Sequence, residues 1–441
     1  MTPVDIEIIS ARWVLPVDQS QQLANQITVL ENHAIVVEER RIIAIGPSDE
    51  ILARYPNASH IALNHHILMP GLVNAHNFTA MILLKGLTKP PPLPIWLNNI
   101  RAIERQWLSE SFASDGVTLG IAEMLLSGTT CFSDSYLFPN ASASITESLG
   151  MRAQIHFPIS EQASNWAQNS EEYFEKGLEI ADEYRQSALI TTGFGPYSVN
   201  NVSNQSFERI AMLAEEIDRP IHLSLHQHEA EINDSIDKYG LRPIQRLSEL
   251  GILSTRTQAI QAGQLDANSE QLLVKSGTSV IHCPGASLRL QTARSPIVKL
   301  LKQGINMGLG TGSAVCGTLN LFYQLNLAVM LSAEADMQKP LSSAAALRMA
   351  TLGGAETLGL ENEIGSLSVG KQADIIAIDA QTPSLQPLQS ITRQLVNSGA
   401  NAPVSHVWIA GQSKVSDGQL VDIDQNAVLA KSDWWKKKIA S

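Results

Sequence analysis

Between residues 67 and 312 a short run of apolar and β-branched residues is followed, again and again, by a longer stretch with helical spacing. The strand-like runs are ILMPGLVNAH (67–76), TTCFSDS (129–135), RAQIHFPI (152–159), ALITTGFG (188–195), PIHLSLH (220–226), TQAIQAG (257–263), TSVIHCPG (278–285) and NMGLGTG (306–312). Between them, 109–126, 170–186, 205–217 and 293–303 carry apolar residues at i, i+3, i+4. Parallel strands need crossover connections, and a helix is the usual one. Repeated strand–helix alternation therefore predicts an α/β fold, a (β/α)8 barrel.

The two ends of the chain have another texture. HAIVVEERRIIAIG (33–46) reads as a hairpin, and ADIIAIDA (373–380) and SHVWIAGQ (405–412) read as short strands. The expected organisation is a barrel over 67–365 and a small β-sandwich domain built from both termini, 1–66 and 366–441. The KKK at 436–438, after Trp434 and Trp435, reads as a solvated helix end.

Composition narrows the function classes. Of the 441 residues 17% are charged and 44% hydrophobic, which suits a chain with a large core. The 43 acidic against 31 basic residues disfavour nucleic-acid binding, since phosphate contacts need Lys and Arg. Three cysteines, Cys131, Cys283 and Cys316, are too few and scattered for a disulfide framework or a cysteine zinc site. The N-terminal MTPVDIEIISARWVLPVD carries charge where a signal peptide needs an apolar stretch, and no run approaches a membrane span. The expectation is a cytoplasmic protein with no nucleic-acid or membrane partner.

LMPGLVNAHNFTAM (68–81), LLSGTTCFSDSYLFP (125–139), DSIDKYGLRPIQRL (234–247), VIHCPGASLRL (280–290), SPIVKLLKQGINMGLGT (295–311) and IGSLSVGKQADIIAID (364–379) resemble the amidohydrolase superfamily. The branch they resemble holds the methylthioadenosine/S-adenosylhomocysteine deaminases and the triazine chlorohydrolases. The resemblance runs over nearly the whole chain and implies a TIM-like barrel of the metal-dependent hydrolase type. It also implies a homo-oligomer and a divalent ion, zinc or iron, which lowers the pKa of a bound water.

Carried over residue by residue, the family's ligand set is mostly replaced. The first histidine of the first strand is His76, and the second falls on Phe78. The fifth-strand histidine falls on Ser224, the proton-shuttling glutamate on Gln227, the sixth-strand histidine on Gln261 and the final aspartate on Gly312. Phenyl offers a metal no lone pair, and glutamine cannot take and release a proton. A catalytic zinc normally has three protein ligands. A metal is therefore not expected, and the first expectation is an amidohydrolase-fold pseudoenzyme with a purine-nucleoside-like pocket.

The alternative is an active hydrolase or deaminase acting on a C–N bond of an adenosine-type or other N-heterocyclic substrate. It needs a rebuilt metal site, for which His76, His226 and His282 are the imaginable triad. A third option is a structural subunit paired with a catalytic relative. Pocket candidates are Trp96, His226, Gln227, Gln261 and His282. His228–Glu229 reads as a loop feature before a displaced acid–base pair, and Ser313 and Cys316 read as ordinary loop residues, with no adjacent base to activate them.

Overall fold

The computed structural model describes residues 6–18, 25–87, 93–313, 317–336 and 338–440. Sixteen strands are found among them. The first four are β1 (Ile6–Val14), β2 (Leu30–Glu38), β3 (Arg41–Pro47) and β4 (Ser59–Pro70). Then come β5 (Leu72–Asn77), β6 (Thr129–Asp134), β7 (Arg152–Ile159), β8 (Ile190–Pro196), β9 (Ile221–Leu225), β10 (Thr257–Gln261), β11 (Ser279–His282) and β12 (Met307–Leu309). The last four are β13 (Ile375–Asp379), β14 (Val404–Ile409), β15 (Gln412–Ser416) and β16 (Gln419–Leu420).

The chain divides into two compact units. One comprises Met1–Val73, Ala122–Cys131 and Asn320–Ile423; the other comprises Asn74–Ile121, Phe132–Leu319 and Asp424–Ser441. The first unit is built on a sheet in the order β16-β15-β14-β13-β4-β1-β2-β3, to which both ends of the chain contribute. Three strands separate β13 from β3 in that order. Even so, the Ala373 N–H reaches the Arg40 carbonyl at 2.9 Å and the Ile42 N–H reaches the Lys371 carbonyl at 2.9 Å. The sheet thus folds over on itself, in the manner of a sandwich. Ile9, Ile35, Ile42, Leu68, Ile375 and Trp408 fill the space enclosed.

Strands β5 to β12 form the barrel sheet in chain order. The pairings are parallel, as between β7 and β8 or β9 and β10. A strand covered on both faces can be apolar throughout, and every residue of β7 is buried. The barrel closes where Asn77 meets Gly312 in a parallel bridge. The Gly312 N–H donates to the His76 carbonyl at 3.0 Å, and the Phe78 N–H to the Gly312 carbonyl at 3.3 Å. Gly312 has φ +70°, which a glycine adopts without penalty.

The (β/α)8 expectation holds strand by strand, with one difference in segmentation. The run 67–76 is two strands: 67–70 end β4, paired with β1 and β13, and β5 begins the barrel at Leu72. Gly71 is the joint. A Cβ there would lie 2.0 Å from Thr130 Oγ1 and 2.6 Å from Thr130 Cβ, so the two strands approach too closely for any side chain. Gly71→Ala is expected to destabilise the protein by about 1–3 kcal/mol through overpacking, read as a lower urea midpoint. An unchanged midpoint would show that the joint tolerates a methyl group.

At the other end, the helix Gln425–Ala440 carries the KKK. Trp435 Nε1 donates to Asp115 Oδ2 at 2.8 Å, and Lys438 Nζ lies 4.5 Å from the Trp434 ring centre. Among the described residues no helix is long and apolar enough to cross a membrane.

Candidate active site

Barrel active sites lie at the C-terminal ends of the strands. Here those ends surround a cavity of about 290 Å³, lined by His76 of β5, Ser224 of β9, Gln261 of β10 and the loop residues Gly312 and Ser313. The helix Leu93–Trp107 supplies an apolar wall of Leu93, Trp96, Leu97 and Ile100, and from its last turns Glu104.

A chain of hydrogen bonds runs beneath the cavity. Gln258 Nε2 donates to Gln154 Oε1 at 2.7 Å, which leaves Gln258 Oε1 as an acceptor. His222 Nδ1, 2.8 Å from that oxygen, must therefore carry a proton. A neutral imidazole protonated at Nδ1 accepts at Nε2, so His76 Nδ1 donates to His222 Nε2 across 2.9 Å. His76 is left with a bare Nε2. Burial keeps these rings neutral: it holds His222 down to about 4, and holds His76 and His156 well below the usual histidine value. His156 stacks on His222 with ring centres 4.2 Å apart.

Phe78 packs edge-on against His76, with ring centres 4.9 Å apart and planes at 81°. Gln227 lines the cavity, and its N–H donates to Glu231 Oε2 at 3.1 Å. Gln261 donates from Nε2 to Ser287 Oγ at 3.3 Å, while its Oε1 is buried without a partner.

Of the pocket candidates, Trp96, Gln227 and Gln261 line the cavity; His226 and His282 do not. His226 Nδ1 bonds the Gln264 carbonyl at 3.0 Å, and its Nε2 accepts from the Ile244 N–H at 3.3 Å. β9 ends at Leu225 and His226 has φ +53°, so strand alternation no longer aims this ring. The triad His76, His226 and His282 is accordingly not assembled. His228 caps the helix Glu229–Tyr239, accepting the Glu231 N–H at Nδ1, and Glu229 is exposed. Ser313 lines the cavity with an unpartnered Oγ, and Cys316 lies outside the described residues.

Sequence reasoning missed two buried carboxylates on the cavity wall. Glu231, 8% exposed, lines the cavity and accepts the N–H groups of His226 at 2.7 Å and Gln227 at 3.1 Å. Burial pushes it up to about 7. Its signal was the spacing of a helix cap, a polar residue followed three positions later by glutamate. Glu104 accepts from Tyr136 Oη at 2.6 Å and is likewise raised by burial.

The match to known proteins spans this architecture. Residues 67–414 match the model described as the amidohydrolase family. The chain belongs to the amidohydrolase family. It is 40% identical over 441 residues, 99% of this chain and 97% of the other, to a 5-methylthioadenosine/S-adenosylhomocysteine deaminase of Saccharophagus degradans. A deaminase of the same name from Teredinibacter turnerae is 39% identical over 443 residues, covering 100% and 99% of the two chains. Among solved structures, an adenosine deaminase from Xanthomonas campestris with bound zinc superposes with a TM-score of 0.95 at 36% identity, covering 99% of each chain. An atrazine chlorohydrolase from Arthrobacter aurescens, complexed with zinc, has a TM-score of 0.90 at 22% identity, over 97% of this chain and 99% of that one, and shares the fold.

These relatives overturn the expectation of a pseudoenzyme. Full-length kinship at this level is to amidohydrolases named for the reactions they catalyse. Ligand counting weighs one way of activating water; it takes no account of the carboxylates the cavity holds.

The Xanthomonas campestris and Arthrobacter aurescens structures hold zinc. Among the described residues no group of three or more His, Cys, Asp or Glu is placed to hold a metal ion. His76 and His222 are close, but they spend a nitrogen each on one another.

Proposed function

We propose that this amidohydrolase is a hydrolase of the deaminase branch, acting on a C–N bond of an adenosine-type substrate. The observation that carries the reading is the 40% identity, end to end, with a 5-methylthioadenosine/S-adenosylhomocysteine deaminase. The cavity supports it. At about 290 Å³ it is near the lower bound of small-molecule pockets, roughly 300 Å³, and it has their usual make-up of apolar walls with a few polar groups. Trp96 and Phe78 offer aromatic faces to a flat heterocycle.

In the overall reaction water adds at the ring carbon, the C–N bond breaks, ammonia leaves and an oxo group remains. The protons must pass through a group that both accepts and releases near neutral pH. Gln227 cannot serve. Glu231, about 7 and on the cavity wall, has the required affinity, and two backbone N–H groups fix its carboxylate.

The test is ammonia release from 5′-methylthioadenosine, adenosine and S-adenosylhomocysteine by the intact protein. Release above background is expected for at least one of them, and Glu231→Gln is expected to reduce it by about 10²–10⁴, the usual range for a lost acid–base group. Background release from all three overturns the proposal.

A further inference from the structure

The N–H groups of His226 and Gln227 both point at the Glu231 carboxylate, across 2.7 and 3.1 Å. In an extended strand successive N–H groups point to opposite edges, whereas a left-handed residue can turn two of them onto one anion. His226 supplies that turn, at φ +53°. Such a backbone is costly for a residue other than glycine, so its surroundings must hold it in place.

The hold comes from the side chain of His226 itself. Its ring is buried and spans two other segments. Nε2 accepts the N–H of Ile244, in the first turn of the helix Pro243–Glu249, at 3.3 Å. That N–H has no acceptor within its own helix. Nε2 therefore carries no proton, and Nδ1, which does, donates to the Gln264 carbonyl at 3.0 Å. The Gln264 N–H returns to the His226 carbonyl at 3.1 Å. Burial holds the ring down to about 4, so it is neutral at pH 7 and both bonds persist there.

We propose that His226 is a positioning residue: its imidazole, fixed between Gln264 and Ile244, locks the backbone turn that aims two N–H groups at Glu231. The inference rests on the proposed role of Glu231 as proton carrier and deepens it. N–H donors favour the ionised carboxylate, so His226 sets how readily the carrier gives up its proton. Charged groups stand on both sides. Arg242 and Asp266, paired at 3.2 Å, flank the ring, and Asp234, on the helix of Glu231, faces His228.

The Glu231 carboxyl is titrated in the intact protein by ¹³C NMR with labelled glutamate, its signal assigned by its absence from Glu231→Gln. His226→Ala is expected to raise the midpoint from about 7 by about one pH unit, roughly the effect of one lost N–H donor. A site that was merely loosened would admit water and move the midpoint the other way. His226→Gly takes the left-handed turn without penalty but has no ring to lock it, and its midpoint is expected between those of wild type and His226→Ala. The pH midpoint of ammonia release is expected to follow. ¹⁵N NMR of the wild-type protein is expected to show His226 protonated at Nδ1 and bare at Nε2, a readout that needs no variant to fold.

A midpoint that stays or falls in His226→Ala, a glycine variant displaced further than the alanine one, or a wild-type proton on Nε2 would each overturn the positioning role. A raised Glu231 midpoint with background ammonia release from every substrate would leave that role standing and remove the proposed hydrolysis, so the two failures are distinguishable.

Discussion

Arg246→Met is expected to cost about 3–5 kcal/mol of stability, because it leaves three acceptors without their donor, at about 1–3 kcal/mol for each buried one. Arg246 is 2% exposed. Its Nε donates to Asn204 Oδ1 at 2.8 Å, one terminal nitrogen to the Val202 carbonyl at 2.8 Å and the other to the Val199 carbonyl. The guanidinium carbon lies 3.7 Å from the ring centre of Tyr239 and 5.1 Å from that of Phe207. A methionine fills much of the volume but satisfies none of the three acceptors. The loss reaches the cavity as well, because Val199, Asn200 and Asn201 line it and the arginine ties their loop down. Urea unfolding is expected to show a lower midpoint, and substrate affinity is expected to fall with it. Arg246→Lys keeps the charge but not the planar fork, so it is expected to recover only part of both. A loss below about 1 kcal/mol for the methionine variant would mean that water replaces the guanidinium and that the loop is held by its other contacts.

The barrel strands were legible because strands buried on both faces show as short, mostly apolar runs between turn residues. RAQIHFPI coincides with β7 residue for residue. The joint at Gly71 was marked only by the Pro70–Gly71 pair, a breaker signal, inside a run that is apolar on both sides of it and so reads as one strand. The stretch 293–303 is helical only over Ile297–Lys302. Before it, Ser295 Oγ is bound to the Gln261 carbonyl, and Pro296 starts the helix. In the site, the positions taken from family motifs do meet around one cavity: His76, Phe78, Ser224, Gln227, Gln261 and Gly312 all line it. The sequence did not reveal what those side chains do in one another's presence. Only the fold shows His222 bonded to His76. His226 was read as part of an imaginable metal triad, and a positive φ turns it away. Glu231 was invisible as chemistry because its proton affinity comes from burial, which no local pattern encodes. Counting the lost ligands also led to an inert barrel, where end-to-end similarity to deaminases points to a working one.

Between pH 4.5 and about 7, Glu231 is expected to make the protein less stable as pH rises. Burial is the main cause of its raised value, and the N–H groups of Gln227 and His226 offset it only in part. In that window the folded state holds a proton that the unfolded chain has released. The folded state thus binds more protons, and stability falls with increasing pH. The contribution is fully present below 4.5 and is lost as pH rises through about 7. At about 1.4 kcal/mol per pH unit it amounts to about 3 kcal/mol. Other groups titrate as well. Glu104 and Asp134, also raised by burial, act in the same sense, while the depressed histidines His222, His226 and His282 act in the opposite one as pH falls. The measurement is therefore a difference: urea unfolding of wild type and Glu231→Gln at matched pH from 4.5 to 8.5. Glutamine keeps one acceptor for the two backbone N–H groups and should cost about 1–3 kcal/mol at low pH, where the carboxyl is neutral in wild type. The gap is expected to close as pH passes 7, because only the wild type then carries a buried charge. A gap that stays constant with pH would place the Glu231 proton affinity at an ordinary carboxylate value and would remove this residue as the proton carrier of the site.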